Sequence, residues 1–251
     1  MKKLGILIVV LMVALVSINL STISDSRVNS LKSKDERQIV NDENLDEFDK
    51  MSLEIGAANV EVIEGDNYSI NIDMDKKIAI SYKIENQTLE VIQKSNKDKL
   101  DEKHFENNLG NNIIVITIPK GKELKLLKGE QGLGEWKIND LSIQEINIEM
   151  GVGNCVLNNI VNKGLIVEGG VGNIDINGEI KGDIDIEGGL GRIYLKTTLP
   201  ESQYYYELEK GLGGIIFNDK VIESEESFGD NTAPYHMNIS SGVGSIEIET
   251  K

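Results

Sequence analysis

The sequence predicts an all-β fold: a single β-solenoid domain with coils of about 19 residues, preceded by an N-terminal hydrophobic helix. Three observations predict it. The first is a signature of two glycines around a Leu or Val, at Gly132-Leu133-Gly134, Gly151-Val152-Gly153, Gly170-Val171-Gly172 and Gly189-Leu190-Gly191, evenly spaced along the chain. Gly211-Leu212-Gly213 and Gly242-Val243-Gly244 continue the series after longer intervals. A fixed period of about 20 residues marks stacked repeats that share one core. The second is a set of apolar columns in fixed register with the glycines. The third is alternation at period two, which suits a strand with one buried face. A helix would instead carry a glycine every ten or so residues, at roughly 1 kcal/mol each.

The elements follow in chain order. Lys2 and Lys3 precede an apolar run from Leu4 to Leu20, which reads as a signal anchor or a signal peptide over residues 1–20. The lysines favour an inside N-terminus and an exported remainder. The expected location is thus the cell membrane, single-pass with an extracytoplasmic C-terminal domain, or secretion if the segment is cleaved. Residues 21–47 are polar and charged and are expected to form a stalk. The solenoid is expected over 48–251, irregular over 48–128 and regular over 129–251.

In the irregular part, Gly56-Ala57-Ala58 stands in for a signature, with Met51 and Leu53 before it and Val60 and Val62 after it. Further strand patterns run through Tyr68, Ile70 and Ile72, Ile78, Ile80 and Tyr82, Leu89 and Val91, and Ile114, Ile116 and Ile118.

In the regular part, four residues after each first glycine lie Trp136, Cys155, Ile174, Ile193, Ile215 and Ile246; six after lie Ile138, Leu157, Ile176, Leu195, Phe217 and Ile248. Three before lie Ile148, Val167, Ile186, Leu208 and Ile239; five before lie Ile146, Leu165, Ile184, Tyr206 and Met237. Each coil thus offers two inward-facing segments joined at a glycine corner. The middle Leu or Val of the corner is expected to cap the core. Two charged excursions, Lys94–Asn112 and Asn218–His236, are expected to be loops, where function tends to lie.

No catalytic pattern stands out. The chain has one cysteine, so no internal disulfide, and two histidines, His104 and His236, on separate excursions. No helix pattern follows the glycines, so they make no dinucleotide fingerprint, and the aspartates of calcium-binding nonapeptide repeats are absent. No cofactor and no metal site is expected. Tyr205 should face out between Tyr204 and Tyr206, where an aromatic carbohydrate platform is conceivable.

There are 26 basic and 42 acidic residues; setting Lys2 and Lys3 aside leaves 24 against 42, a net charge of −18 for the exported part. That excess argues against nucleic acid as a partner and is compatible with cationic ones or simply with solubility. The acids are patterned. Two residues before the signatures lie Glu149, Glu168, Glu187 and Glu209, with Glu54 at the same place in the early coil, and Asp185 and Glu207 two positions earlier on their strands. If the coils stack in register, Glu149, Glu168 and Glu187 form a carboxylate ladder. Opposed like charges weaken strand pairing, so the ladder, with Glu209 and Asp185, is a candidate site for a cation or a cationic peptide.

The stretch Ile113-Ile114-Val115-Ile116-Thr117-Ile118-Pro119-Lys120-Gly121, followed by Leu124, Leu126 and glycine-punctuated strand pairs, resembles the toast-rack, adhesin-like β-solenoid domains of bacterial envelope proteins. The resemblance covers about Phe48 to Lys251. It implies a domain anchored near the membrane, an association with envelope-stress signalling and an envelope protein partner, and it offers no catalytic residues to carry over. The leading expectation is a membrane-tethered, non-enzymatic binding or scaffold domain. The alternatives are an adhesin-like spacer and a polysaccharide-degrading β-helix enzyme, for which Arg192 is the only obvious basic residue among the acidic columns.

Overall fold

The computed structural model describes residues 37–94, 112–223 and 226–251. The N-terminal apolar run, His104 and most of the first excursion lie outside the described residues. The strands are β1 (Arg37–Asp42), β2 (Lys50–Ala57), β3 (Asn59–Gly65), β4 (Ser69–Asp75), β5 (Ala79–Glu85), β6 (Thr88–Lys94), β7 (Ile113–Pro119), β8 (Glu123–Leu133), β9 (Trp136–Asn139) and β10 (Ser142–Val152). Then come β11 (Cys155–Val171), β12 (Ile174–Leu190), β13 (Ile193–Thr197), β14 (Tyr204–Leu212), β15 (Ile215–Phe217), β16 (Lys220–Ile222), β17 (Glu226–Gly229), β18 (Tyr235–Val243) and β19 (Ile246–Glu249). All join one hydrogen-bonded sheet.

The sheet wraps into two faces. One stacks β6, β2, β8, β10, the second half of β11, the second half of β12, β18 and β14 in parallel. The other stacks β7, β3, β9, the first halves of β11 and β12, β13, β19 and β15. Antiparallel strands close both ends: β5 on β6, β4 on β7 and β1 on β4 at one, β17 on β14 and β16 on β15 at the other. Between the faces runs the core. Every residue of the four apolar columns is buried, Trp136 and Cys155 included.

The corners explain the glycines. At the third signature position, Gly134, Gly153, Gly172, Gly191, Gly213 and Gly244 all have φ between 129° and 150°. A Cβ there would also strike the coil beneath: at Gly172 it would lie 1.8 Å from the Gly153 carbonyl oxygen. This close approach lets the ladder run round the bend, with Gly134 N–H donating to Val152 (3.0 Å) and Gly153 N–H to Val171 (2.8 Å). A second ladder secures the same bend: Asn154 Oδ1 accepts from Asn173 N–H and Asn173 Oδ1 from Arg192 N–H, both at 3.0 Å.

Four features differ from what the sequence alone implies. First, the corners do not stack in chain order at the two ends of the molecule. Gly189 lies against Gly242, and Gly242 against Gly211, so the C-terminal coil sits inside the stack. Likewise β2–β3 lies between β8–β9 and the β6–β7 coil. There, Gln93 and Asn112 replace a corner: Ala57 N–H donates to Gln93 Oε1 (3.0 Å) and Asn112 Nδ2 donates to the Ala57 carbonyl (3.2 Å).

Second, β1 pairs with β4, so residues 37–42 belong to the folded body rather than to the stalk expected over 21–47. Third, much of the excursion Asn218–His236 is β16 and β17, which cover the edges of the last coil. Fourth, the middle residues of the corners do not cap the core. Among the described residues, Leu133, Val152, Val171 and Leu190 are only half-buried and stand apart from the core cluster, while Val243 and Leu212 are 43% and 74% exposed. The chain reverses at the next glycine before these side chains reach the interior.

Candidate functional site

The register brings three of the five predicted site residues together. Glu149 is paired with Glu168, and Glu168 with Glu187, on adjacent strands. The ladder is longer than expected, because Glu54 pairs with Glu130 and Glu130 with Glu149. Glu130 stands two residues before Gly132, so the same spacing signals it. Glu209 is set apart from Glu187 by Ser240, a consequence of the inserted C-terminal coil. Asp185 is two residues before Glu187 on β12 and accepts a hydrogen bond from Asn238 Nδ2 (3.1 Å).

The electrostatics differ along the ladder. At its start Lys128 Nζ lies 2.9 Å from Glu130. Glu149, Glu168 and Glu187 form no ion pair with a described residue. Burial, then the charges of Glu149, Glu187 and Asp185, raise the Glu168 pKa above the ordinary carboxylate value. Stacked strands are about 4.8 Å apart, and two unit charges at that distance repel by roughly 0.9 kcal/mol even in water. The glutamates therefore form a line of charge rather than a convergent cage. No group of three or more acidic, histidine or cysteine side chains among the described residues could hold a metal ion.

Three residues along from each glutamate stands the apolar corner residue. In register these form a second ladder, buried at Ala57 and emerging at Leu133, Val152, Val171, Leu190, Val243 and Leu212. One edge of the molecule is thus an aliphatic ridge running parallel to a line of carboxylates. The period predicts such a ridge once its side chains are known to miss the core.

Other candidates are engaged. Arg192 pairs with Asp175 (2.5 Å), lies 3.7 Å from Glu247, and packs 5.2 Å over the Tyr194 ring. Burial pushes the Cys155 thiol up to about 12, so it is a core residue, not a nucleophile. A shallow depression of about 250 Å³ at the N-terminal end is lined by Asp42, Asp46 and Tyr82, whose hydroxyl donates to Asp42 (3.1 Å).

Parallel stacked coils, closed at both ends by antiparallel strands and laddered along their faces, define a short capped β-solenoid. The chain belongs to the Toastrack DUF4097 family, whose profile matches residues 48–201. Its fold is similar to that of a candidate cell adhesion protein from Clostridium sporogenes, 20% identical, with a TM-score of 0.53 over 86% of this chain and 100% of the other. A candidate adhesin from Bacteroides fragilis (16% identity, TM-score 0.37, 84% and 96% coverage) is also similar. So is a candidate lipid-binding protein from Parabacteroides distasonis (14%, 0.32, 86% and 97%). No curated protein matches the chain. Among the described residues no helix is long and apolar enough to cross a membrane.

Proposed function

We propose that the chain is an extracytoplasmic, non-enzymatic binding domain of a bacterial envelope, tethered to the membrane through residues 4–20, that takes a cationic partner along its glutamate ladder. One observation carries the reading: Glu149, Glu168 and Glu187 stand in register with no ion pair to a described residue, although stacked like charges weaken the sheet. The parallel ridge suits a partner with both basic and aliphatic side chains, such as an amphipathic basic peptide. The cell adhesion name given to the Clostridium sporogenes protein agrees with a binding rather than a catalytic role. The ion pair of Arg192 with Asp175 and its packing over Tyr194 speak against the polysaccharide-degrading alternative.

The test is thermal melting with a short peptide of alternating Lys and Leu. The reading expects the peptide to raise the melting temperature of the wild type and to lose that effect in a Glu168→Gln, Glu187→Gln double variant. If the double variant is simply more stable and the peptide shifts neither protein, the ladder is a solvated face. Tethering is checked separately: the intact protein should stay in the membrane fraction while externally added protease removes the solenoid.

A further inference from the structure

The inserted C-terminal coil builds a surface that no single stretch of sequence contains. On the outer side of β14, Tyr205 stands between the buried Tyr204 and Tyr206 and is itself half-buried. Its register partner on β18 is His236, with the rings 5.6 Å apart and edge-on. One strand further, Asp183 Oδ1 accepts the His236 backbone N–H (2.9 Å), and Asp185 Oδ1 accepts from Asn238 Nδ2 (3.1 Å). Glu207 faces Asn238 from β14. Asp183, Asp185, Glu207, His236 and Asn238 are all exposed.

One feature makes this more than a row of surface side chains: rigid support. On the inner face of the same strand, Tyr206 stacks on Phe228 (4.8 Å) and meets Phe217 edge-on (4.9 Å), and the Tyr206 hydroxyl donates to the Glu201 carbonyl (3.1 Å). A site is selective when its side chains are held by such a supporting layer.

We infer that this face is a saccharide-binding platform, with Tyr205 offering its ring to the C–H face of a neutral sugar and the surrounding Asp185, Glu207, Asn238 and His236 hydrogen-bonding its hydroxyls. A sugar hydroxyl both donates and accepts, and the cluster supplies both kinds of partner: carboxylate acceptors and amide or imidazole donors. Asp183 and Asp185 already accept protein N–H groups, which fixes their remaining lone pairs outward as oriented acceptors. The inference uses none of the ladder glutamates 149, 168 and 187, although it shares Asp185 with the candidate cation site, and it concerns a different ligand.

The test is affinity electrophoresis of the full chain through gels containing neutral polysaccharides: a β-glucan, a galactomannan and a soluble chitin derivative. At least one is expected to retard the wild type, Tyr205→Phe should keep the retardation, and Tyr205→Ala should weaken it about tenfold, as loss of one aromatic contact implies. Circular dichroism of Tyr205→Ala should match the wild type, since the ring faces outward. The inference is overturned if no polysaccharide retards the wild type, or if Tyr205→Ala runs like it. It is equally overturned if choline or a lysine-rich peptide abolishes retardation of the wild type while the sugars fail to compete in return.

Discussion

The middle of this solenoid and its two ends are made of the same columns, yet they obey different rules. From Gly132 to Gly189 chain order and stacking order coincide, and one even spacing positions every strand. At the ends the two orders part. At the N-terminal end β2–β3 is laid down first, and the chain then adds the outer β6–β7 coil and crosses back to β8–β9 on its other side; at the C-terminal end the chain runs past a vacant coil position, turns back through antiparallel strands, and fills it last with β18–β19, between β12–β13 and β14–β15. Where every coil is equivalent, local spacing suffices. Where a stack must stop, its open edges need covers, and covers reverse the chain.

The largest effect should come from breaking an end. Removal of residues 230–251 takes out Met237, Ile239, Ile246 and Ile248, all fully buried. Each contributes about 1.5–3 kcal/mol by burial, a sum comparable with the roughly 5–15 kcal/mol that holds a domain folded. The truncated chain should therefore lose its cooperative urea transition, and a synthetic 230–251 peptide should restore it. If the C-terminal coil were terminal, as chain order implies, truncation would merely shorten the stack; retention of a wild-type transition midpoint would decide for that arrangement.

Next comes the corner. Gly172 has φ 139° and no room for a Cβ, whereas Ala58, at the same position in the Gly56 coil, carries one already. Gly172→Val should destabilise by about 3 kcal/mol or more, and Ala58→Gly by about 1 kcal/mol or less. Similar midpoints for the two in chemical denaturation would mean that middle and end corners are built alike.

The same contrast explains what could be read in advance. Every residue of the four core columns and the corner at Gly56 follow from spacing, because each coil repeats one local pattern against an identical neighbour. Coil order does not follow, because an aliphatic column is satisfied by any other: Ile186 packs as well beside Ile239 as beside Leu208. The trace it leaves is small: Gly211 falls slightly later than the regular period, counted on from Gly189, would put it. Glutamates 149, 168 and 187 were legible as a ladder for the same reason. The Tyr205 cluster was legible only in part, since its outward ring follows from alternation but its neighbours come from three stretches joined by the inserted coil.

Within the middle, alternation should set a third effect. Ile176 is fully buried and Asp175 faces outward in a partly exposed pair with Arg192. Ile176→Asp should cost about 3 kcal/mol or more, and Asp175→Asn about 1 kcal/mol or less. At the end, Val221→Asp places its charge on a residue that is 67% exposed and should change the midpoint by about 0.5 kcal/mol or less. Equal midpoints for the Ile176 and Asp175 variants would show the register to be wrong.

The smallest effect is electrostatic and has opposite signs in the two regions. Glu168, in the middle, has its pKa raised above the ordinary 4.5 by burial first and then by Glu149, Glu187 and Asp185. Its charged form is thus less favourable folded than unfolded. The penalty is absent below 4.5, grows as pH rises through the folded value, and is complete above it. Glu249, on the inserted C-terminal coil, has its pKa lowered, chiefly by the hydrogen bonds it accepts from Lys196 and Tyr194. Its stabilisation is complete above 4.5 and is lost as pH falls through the folded value. At neutral pH, then, Glu168→Gln should be more stable than wild type and Glu249→Gln less stable, each by about 1 kcal/mol or less because both sites are partly solvated. On acidification the Glu168→Gln advantage should vanish first, near 4.5, and the Glu249→Gln deficit only below it. Urea titrations of the two variants at stepped pH give both curves. A Glu168→Gln variant less stable than wild type at neutral pH would show that the ladder is already neutralised in the free protein, and the case for a cationic partner would lose its support.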